Sequence, residues 1–400
     1  MDPHQVVAHS HAGPTEASRT VRWFLGVLMT VLMLGTAMGA GALWPRDASP
    51  RSPWLDPGAS LVNGTVVGVV VDDGASGHLV VRLDNGTTVN VPAEPSAPLD
   101  EARVGQGVKV ITLPDQADAY FFDYERGLPL LLLALGFVTV VAVVARWKGV
   151  AALAGLATAL TVVWTFTLPA LASGRNPLQV ALVTAAIVMF VVVYLAHGVS
   201  VKTTTALLGT FVGIAVVATL AWWAIAAASL TPLQDEVMGQ LPSQFPGIDA
   251  RGILLCGMVL AGVGILNDVT ITQASTVWEL RTAAPEASRR SIYRQAMRVG
   301  RDHIASTVYT IAFAYVGTAL AMLLLASRLD FTIIQLLTFN TIAEEVVATL
   351  VASTSLVATI PLTTALAAWL ARPRTATVAE ESRRAMRESS LDGGSPKLTP

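Results

Sequence analysis

Apolar runs of about 20 residues, the length that crosses a bilayer, recur along this chain and organise it. The first covers residues 23–43. From residue 127 they follow closely, at 128–145, 150–171, 178–197, 203–228, 253–278 and 304–326. A last segment, 331–370, is longer. As one helix it would run about 60 Å, twice the hydrocarbon thickness. Two crossings, or a re-entrant or interfacial first part, would account for it. Ser353-Thr354-Ser355 and Pro361 are places where its helical ladder would loosen.

Between the first two runs the period changes from helical to two. Residues 66–71, 78–83, 87–91 and 108–113 alternate as strands do. Asp84-Asn85-Gly86 is a strong hairpin-turn signal, and Val104-Gly105-Gln106-Gly107 reads as a second turn. Four or five short strands in so few residues suggest a small barrel of the OB type. The expected fold class is therefore an all-α polytopic membrane helix bundle of about eight spans with a small extracytoplasmic all-β, OB-like domain. The expected divisions are a disordered cytoplasmic N-terminus (1–22), an anchor (23–43), the β domain (45–126), the bundle (127–371) and a disordered cytoplasmic tail (372–400).

Composition sharpens this picture. Hydrophobic residues make up 53% of the 400 and charged residues 14%, against about 25% charged in a soluble domain. The lone cysteine, Cys256, excludes an intramolecular disulfide and a cysteine-built metal site. No Gly-rich phosphate loop is present, and no cofactor is implied. The strand region carries only Arg82, Arg103 and Lys109 as cations, so nucleic acid is not an expected partner. The first run is long for a signal-peptide core, which favours a retained anchor over cleavage after its Ala-Met-Gly-Ala stretch.

Lys and Arg near span ends set the orientation. Arg19 and Arg22 precede the anchor, so the N-terminus is cytoplasmic and the β domain external. Dense clusters, Arg281 to Arg301 and Arg372 to Arg387, place the loop after Trp278 and the C-terminal tail inside as well. Trp147, Trp278 and Trp369 fall at span ends as an aromatic belt would; Trp164 does not. The Arg281–Arg301 cluster would also suit anionic lipid heads, though topology alone explains it.

Two polar stripes interrupt the apolar pattern. Asp268, Thr272, Ser275 and Glu279 step by four, three and four, so they share a helix face. Gln335, Thr338, Thr341, Glu345 and Thr349 form a second face, with Asn340 and Glu344 beside it. A carboxylate at bilayer depth normally faces the bundle interior or a wet cavity. Asp268, Glu344 and Glu345, with Asn267, Thr272, Ser275, Asn340 and Thr341 as oxygen donors, are the candidate translocation or cation-binding residues. Such oxygens suit protons or hard cations; no particular metal follows. The competing reading has the carboxyls only holding helices together, by hydrogen bonds or by pairing with Arg251 or Arg301. Glu279, Arg301, Asp302 and His303 are candidates for a cytoplasmic gate, against ordinary interfacial ion pairs. Enzyme classes fit poorly. A second deep aspartate for a protease dyad, a Ser–His pair within spans and a His/Cys zinc cluster are all missing.

Several of these stretches carry a family resemblance. Residues 264–280, Gly300-Arg301-Asp302-His303 leading into 309–315, and Phe339-Asn340-Thr341-Ile342-Ala343-Glu344-Glu345-Val346-Val347 with Pro361-Leu362-Thr363-Thr364 resemble the YibE/F family of bacterial membrane proteins. Residues 120–126 fit as the entrance to the second span. Order and spacing carry the resemblance, which covers most of 60–371. Asn267 departs from the pattern, where an apolar residue is expected; it adds polarity and leaves the carboxylate in place. The resemblance implies a multi-pass protein of the bacterial inner membrane with an extracytoplasmic β domain, and no settled activity.

The expectation is then a transporter of a small solute or cation, coupled to protons, whose partners are the lipid bilayer and that solute or ion. The rival is a membrane sensor or assembly partner whose β domain binds an envelope ligand. Gly209 and Gly213 would suit a homo-oligomer face or an internal helix contact equally.

Overall fold

The structure is a computed structural model describing residues 19–46, 55, 58–71, 77–92, 102–113, 119–232, 236–245, 247–329 and 331–371. Of the expected disordered ends, residues 1–18 and 372–400 lie outside them, as do Asp235 and Pro246 of the 230–250 connection, whereas residues 19–22 are helical. The chain forms two compact units, one of residues 49–150 and one of 1–48 with 151–400.

The smaller unit holds a five-stranded antiparallel sheet: β1 (Ser60–Val71), β2 (Gly77–Leu83), β3 (Thr88–Pro92), β4 (Gly107–Thr112) and β5 (Ala119–Tyr124), in the order β3-β2-β1-β4-β5. The long β1 serves both β2, with Thr65 opposite Arg82, and β4, with Leu61 opposite Ile111. A register shift between Val66 and Gly68 coils the strand. The edge strands β3 and β5 approach each other, so the sheet curls around Val66, Leu79, Val81, Val91, Val108, Val110 and Phe121. Gly64 sits at the closest crossing: a Cβ there would lie 2.6 Å from Val81 Cγ1 and 2.9 Å from the Arg82 carbonyl oxygen. Four strands lie where alternation places them. β5 occupies the stretch read as the entrance to the second span, because its aromatics Tyr120, Phe121 and Phe122 mask the alternation of exposed and buried positions.

The helix α2 (Gly127–Val162) follows, broken at Arg146 (φ 53°, ψ −136°) between two predicted spans. Left-handed φ at a non-glycine residue marks a sharp turn. Gly149 has no room for a side chain there, since a Cβ would crowd the Val141 carbonyl oxygen.

The larger unit is helical: α1 (Arg19–Leu43), a π turn (Val163–Thr167) leading into α3 (Leu168–Ala172), α4 (Pro177–His197), α5 (Val201–Ala227), α6 (Glu236–Gln244), α7 (Ala250–Ala283), α8 (Arg289–Ala326), α9 (Ile333–Thr338) and α10 (Asn340–Leu370). Side-chain caps start five of them, from Asn176, Ser200, Asp249, Ser288 and Thr332. Seven helices among the described residues are long and apolar enough to cross a membrane, taking the run from Gly127 to Ala172 as one. The chain is thus mostly helical and multi-pass.

At its centre α5, α7 and α10 pack on one another, with α4 and α1 outside and α8 along α7 and α10. The close approach depends on small residues. Gly209 lies directly against Thr363, and Gly213 against Thr359 and Leu266. The Gly209/Gly213 step is therefore an internal contact.

Three sequence-based boundaries need correction. The segment 331–370 breaks at Phe339, which is extended (ψ 131°) between α9 and α10. It does not break at Ser353–Ser355 or Pro361, where α10 stays helical. The basic stretch 281–301 is mostly helix, with only residues 284–288 between α7 and α8.

Candidate functional site

α7 carries the first polar stripe, but not on its buried side. Leu266, Val269, Thr270, Gln273, Ala274, Val277 and Arg281 are buried, whereas the Asp268 side chain is 72% exposed and Glu279 is exposed. Thr272, Ser275 and Asn267 are half-buried. Asp268 faces α8, where its Oδ2 lies 3.6 Å from His303 Nε2. That is an ion-pair distance when the imidazole is protonated, and too long for a good hydrogen bond. His303 Nε2 and Asn267 Oδ1 are buried atoms without a hydrogen-bond partner.

The second group lies at the other end of the bundle. Asn340 Nδ2 donates to Glu344 Oε1 (2.8 Å) and to the Thr231 carbonyl (3.2 Å), while its Oδ1 accepts from Thr231 N–H (3.2 Å). Arg251 Nε donates to the neighbouring Leu230 carbonyl at 3.1 Å. Asn340 thus ties the start of α10 to the end of the α5 connection. Glu345 is half-buried within electrostatic reach of the Tyr315 phenol on α8, and Thr341 is exposed.

The structure does not bring the three acids together. α7 and α10 run parallel, with Gln273 beside Thr364 and Arg281 beside Ala371. Glu344 is therefore level with the first turn of α7. At ~1.5 Å per residue it lies about 20 Å along the axis from Asp268. Spacing along one chain cannot report this, because it depends on the stagger between helices. Of the gate candidates only His303 finds an acid, and that acid is Asp268. Glu279, Arg301 and Asp302 are exposed and form no ion pair among the described residues.

Sequence reasoning missed the polar groups that are most deeply buried. Between α5, α7 and α10, Thr210 Oγ1 and Thr270 Oγ1 share a hydrogen bond of 2.7 Å. Thr364 Oγ1 donates to Gln273 Oε1 at 2.9 Å, and Gln273 Nε2, Ser355 Oγ and Thr363 Oγ1 have no partner. Ser355, Thr359 and Thr363 repeat every four residues on α10, a signal visible in the sequence that the search for carboxylates passed over. Arg281, expected in a loop, is wholly buried. It donates through Nε to the Ala371 carbonyl (3.0 Å) and through Nη1 to that of Ala287 (2.6 Å). It thereby fastens the end of α10 to the α7–α8 connection. No three His, Cys, Asp or Glu among the described residues could hold a metal ion.

A family model described as YibE/F-like protein matches residues 133–373 of this chain. No curated protein and no solved structure matches it.

Proposed function

The chain belongs to the YibE/F-like family, and for it we propose transport of a small solute or cation across a bilayer, coupled to protons through Asp268 and His303. The observation that carries the reading is the 3.6 Å approach of these two side chains between apolar helices. Ionisable groups within spans mark proton and ion paths. Asn340, Glu344 and Glu345 form a second polar station at the far end of α10, with Asn267, Thr272, Ser275 and Thr341 as oxygen donors along the way.

Around this site we read eight crossings, with the Gly127–Ala172 run crossing twice about its break at Arg146. The β unit is an OB-type barrel outside, and both termini lie in the cytoplasm of a bacterial inner membrane. The distribution of Lys and Arg supports that orientation. The compact β unit equally supports a non-transporting sensor, in which it binds an envelope ligand and the acids are structural.

Proteoliposomes with a pH-sensitive dye inside, challenged with a panel of cations and small solutes, test the proposal. Asp268→Asn should abolish solute-dependent proton movement, and His303→Gln should change its pH profile. Folded Asp268→Asn protein that moves protons at the native rate would overturn the transport reading and leave the sensor.

A further inference from the structure

The first turns of α8 carry a cluster of cations that the transport reading does not use. Arg294, Arg298 and Arg301 step by four and three, so they share one helix face. With Ser291, Tyr293 and Gln295 they line a groove of about 500 Å³. All three arginines are exposed in it, and none has a carboxylate partner among the described residues. Asp302 is the one acid on α8.

The start of α8 has aromatic neighbours. Tyr293 and Trp278 both pack against the cluster of Val277, Ile292 and Ala296, and Tyr293 and Trp369 line one groove. From there α8 runs into the bundle, since Gly300 touches Gln273 and Ile360. Arg301, eight residues beyond Tyr293, is therefore about 12 Å further in along the helix. The rule that loops on the inner side are basic accounts for cations at span ends. It does not account for three guanidinium groups that line one groove with no carboxylate partner among the described residues.

Arginine presents a planar fork of donors that matches an oxyanion, and three forks on one face match a phosphate. Ser291 and Gln295 add neutral donors. Tyr293 is shared with a second, mostly apolar groove of about 380 Å³ lined by Arg289, Arg290, Ala365, Ala368 and Trp369. We propose that the Arg294–Arg298–Arg301 face of α8 binds a phosphate-bearing anion. Two sources share that chemistry: the headgroup of an anionic phospholipid, with an acyl chain along Ala365 and Ala368, and free inorganic phosphate. The inference goes beyond the transport reading and does not rest on it, because binding is measured without flux.

The test uses the full chain in phosphatidylcholine nanodiscs. One arm titrates in phosphatidylglycerol and counts retained lipid by native mass spectrometry; the other measures equilibrium binding of radiolabelled inorganic phosphate. Arg298→Gln/Arg301→Gln should weaken binding at least about tenfold, the effect of losing ~1.4 kcal/mol or more of charged hydrogen bonding. Lys148→Gln/Lys202→Gln removes the same charge on other helices and should change it less than about twofold. Saturable lipid binding with this pattern assigns the headgroup, and phosphate binding with this pattern assigns the free anion. If neither ligand binds, or both double variants weaken binding equally, the proposal is overturned. Arg298→Lys/Arg301→Lys keeps the charge and loses the forks. It should bind between the two extremes, so misfolding of one variant does not decide the result.

Discussion

Gly213 of α5 lies so close to Thr359 of α10 that a Cβ at Gly213 would come 2.7 Å from the Thr359 hydroxyl, with Leu266 of α7 2.9 Å away on the other side. Three helices thus meet over one hydrogen atom. Without a hydrophobic drive between helices in lipid, such close approach is a main source of packing energy.

Gly213→Ala should therefore destabilise the bundle by about 1–3 kcal/mol, the usual cost of overpacking. Thermal melting of the purified protein in a mild detergent reads it. Gly257→Ala is the control, since nothing lies within 4 Å of a Cβ there. Alanine favours helix over glycine by about 1 kcal/mol, so Gly257→Ala should match or exceed the native midpoint. Equal loss in both variants would remove the special role of Gly213.

That contact also shows what the sequence could tell. Apolar run length located the long helices, because crossing a bilayer fixes length and composition together. Alternation located four strands for the same kind of local reason. The partner of Gly213 was not legible: small residues recur in internal and external helix contacts alike. The stripe rule correctly put Asp268, Thr272, Ser275 and Glu279 on one face of α7. Which way that face points is set by α8, α10 and their stagger, and the buried face turned out to carry Thr270, Gln273 and Arg281. Carboxylates drew attention to the acids, while the uncharged Gln273 is fully buried.

Gln273 and Thr364 offer a test of that buried network. Thr364→Val removes the donor to Gln273 Oε1 and leaves a second unpartnered atom on a side chain whose Nε2 already has none. The expected loss is about 1–3 kcal/mol, the cost of a stranded buried polar group. Adding Gln273→Leu should recover much of it, because both partners are then apolar. Strict additivity of the two changes in melting midpoint would show that the groups do not interact.

Arg281 makes a different prediction. Its Nε and Nη1 reach carbonyls on two separate segments, Ala371 and Ala287, so the guanidinium acts as a clamp. Arg281→Gln should loosen the 284–288 connection and the end of α10, giving earlier proteolytic cleavage there. Arg281→Lys should not restore protection, since one ammonium lacks the fork that spans both carbonyls. Native-like protection in the lysine variant would reduce Arg281 to a simple charge.

Asp123, at the end of β5, sets a pH dependence outside the membrane. Both of its carboxylate oxygens accept from Arg126 Nη1 at 2.6 Å, and Oδ1 accepts from Tyr124 N–H at 2.8 Å. First the guanidinium bond and then the Tyr124 N–H hold the carboxyl below the ordinary carboxylate value. A lowered folded value means that the ionised form is favoured by folding. Its contribution is present above the unfolded value of about 3.9 and is lost as pH falls through the lower folded value. Arg126→Gln should raise the Asp123 midpoint only part of the way to about 3.9, because the Tyr124 N–H bond remains. Carbon-13 carboxyl titration of the full chain in micelles reads this directly. A midpoint unmoved by Arg126→Gln would show that the backbone bond alone holds the carboxylate, and that the Arg126 contact contributes nothing in water.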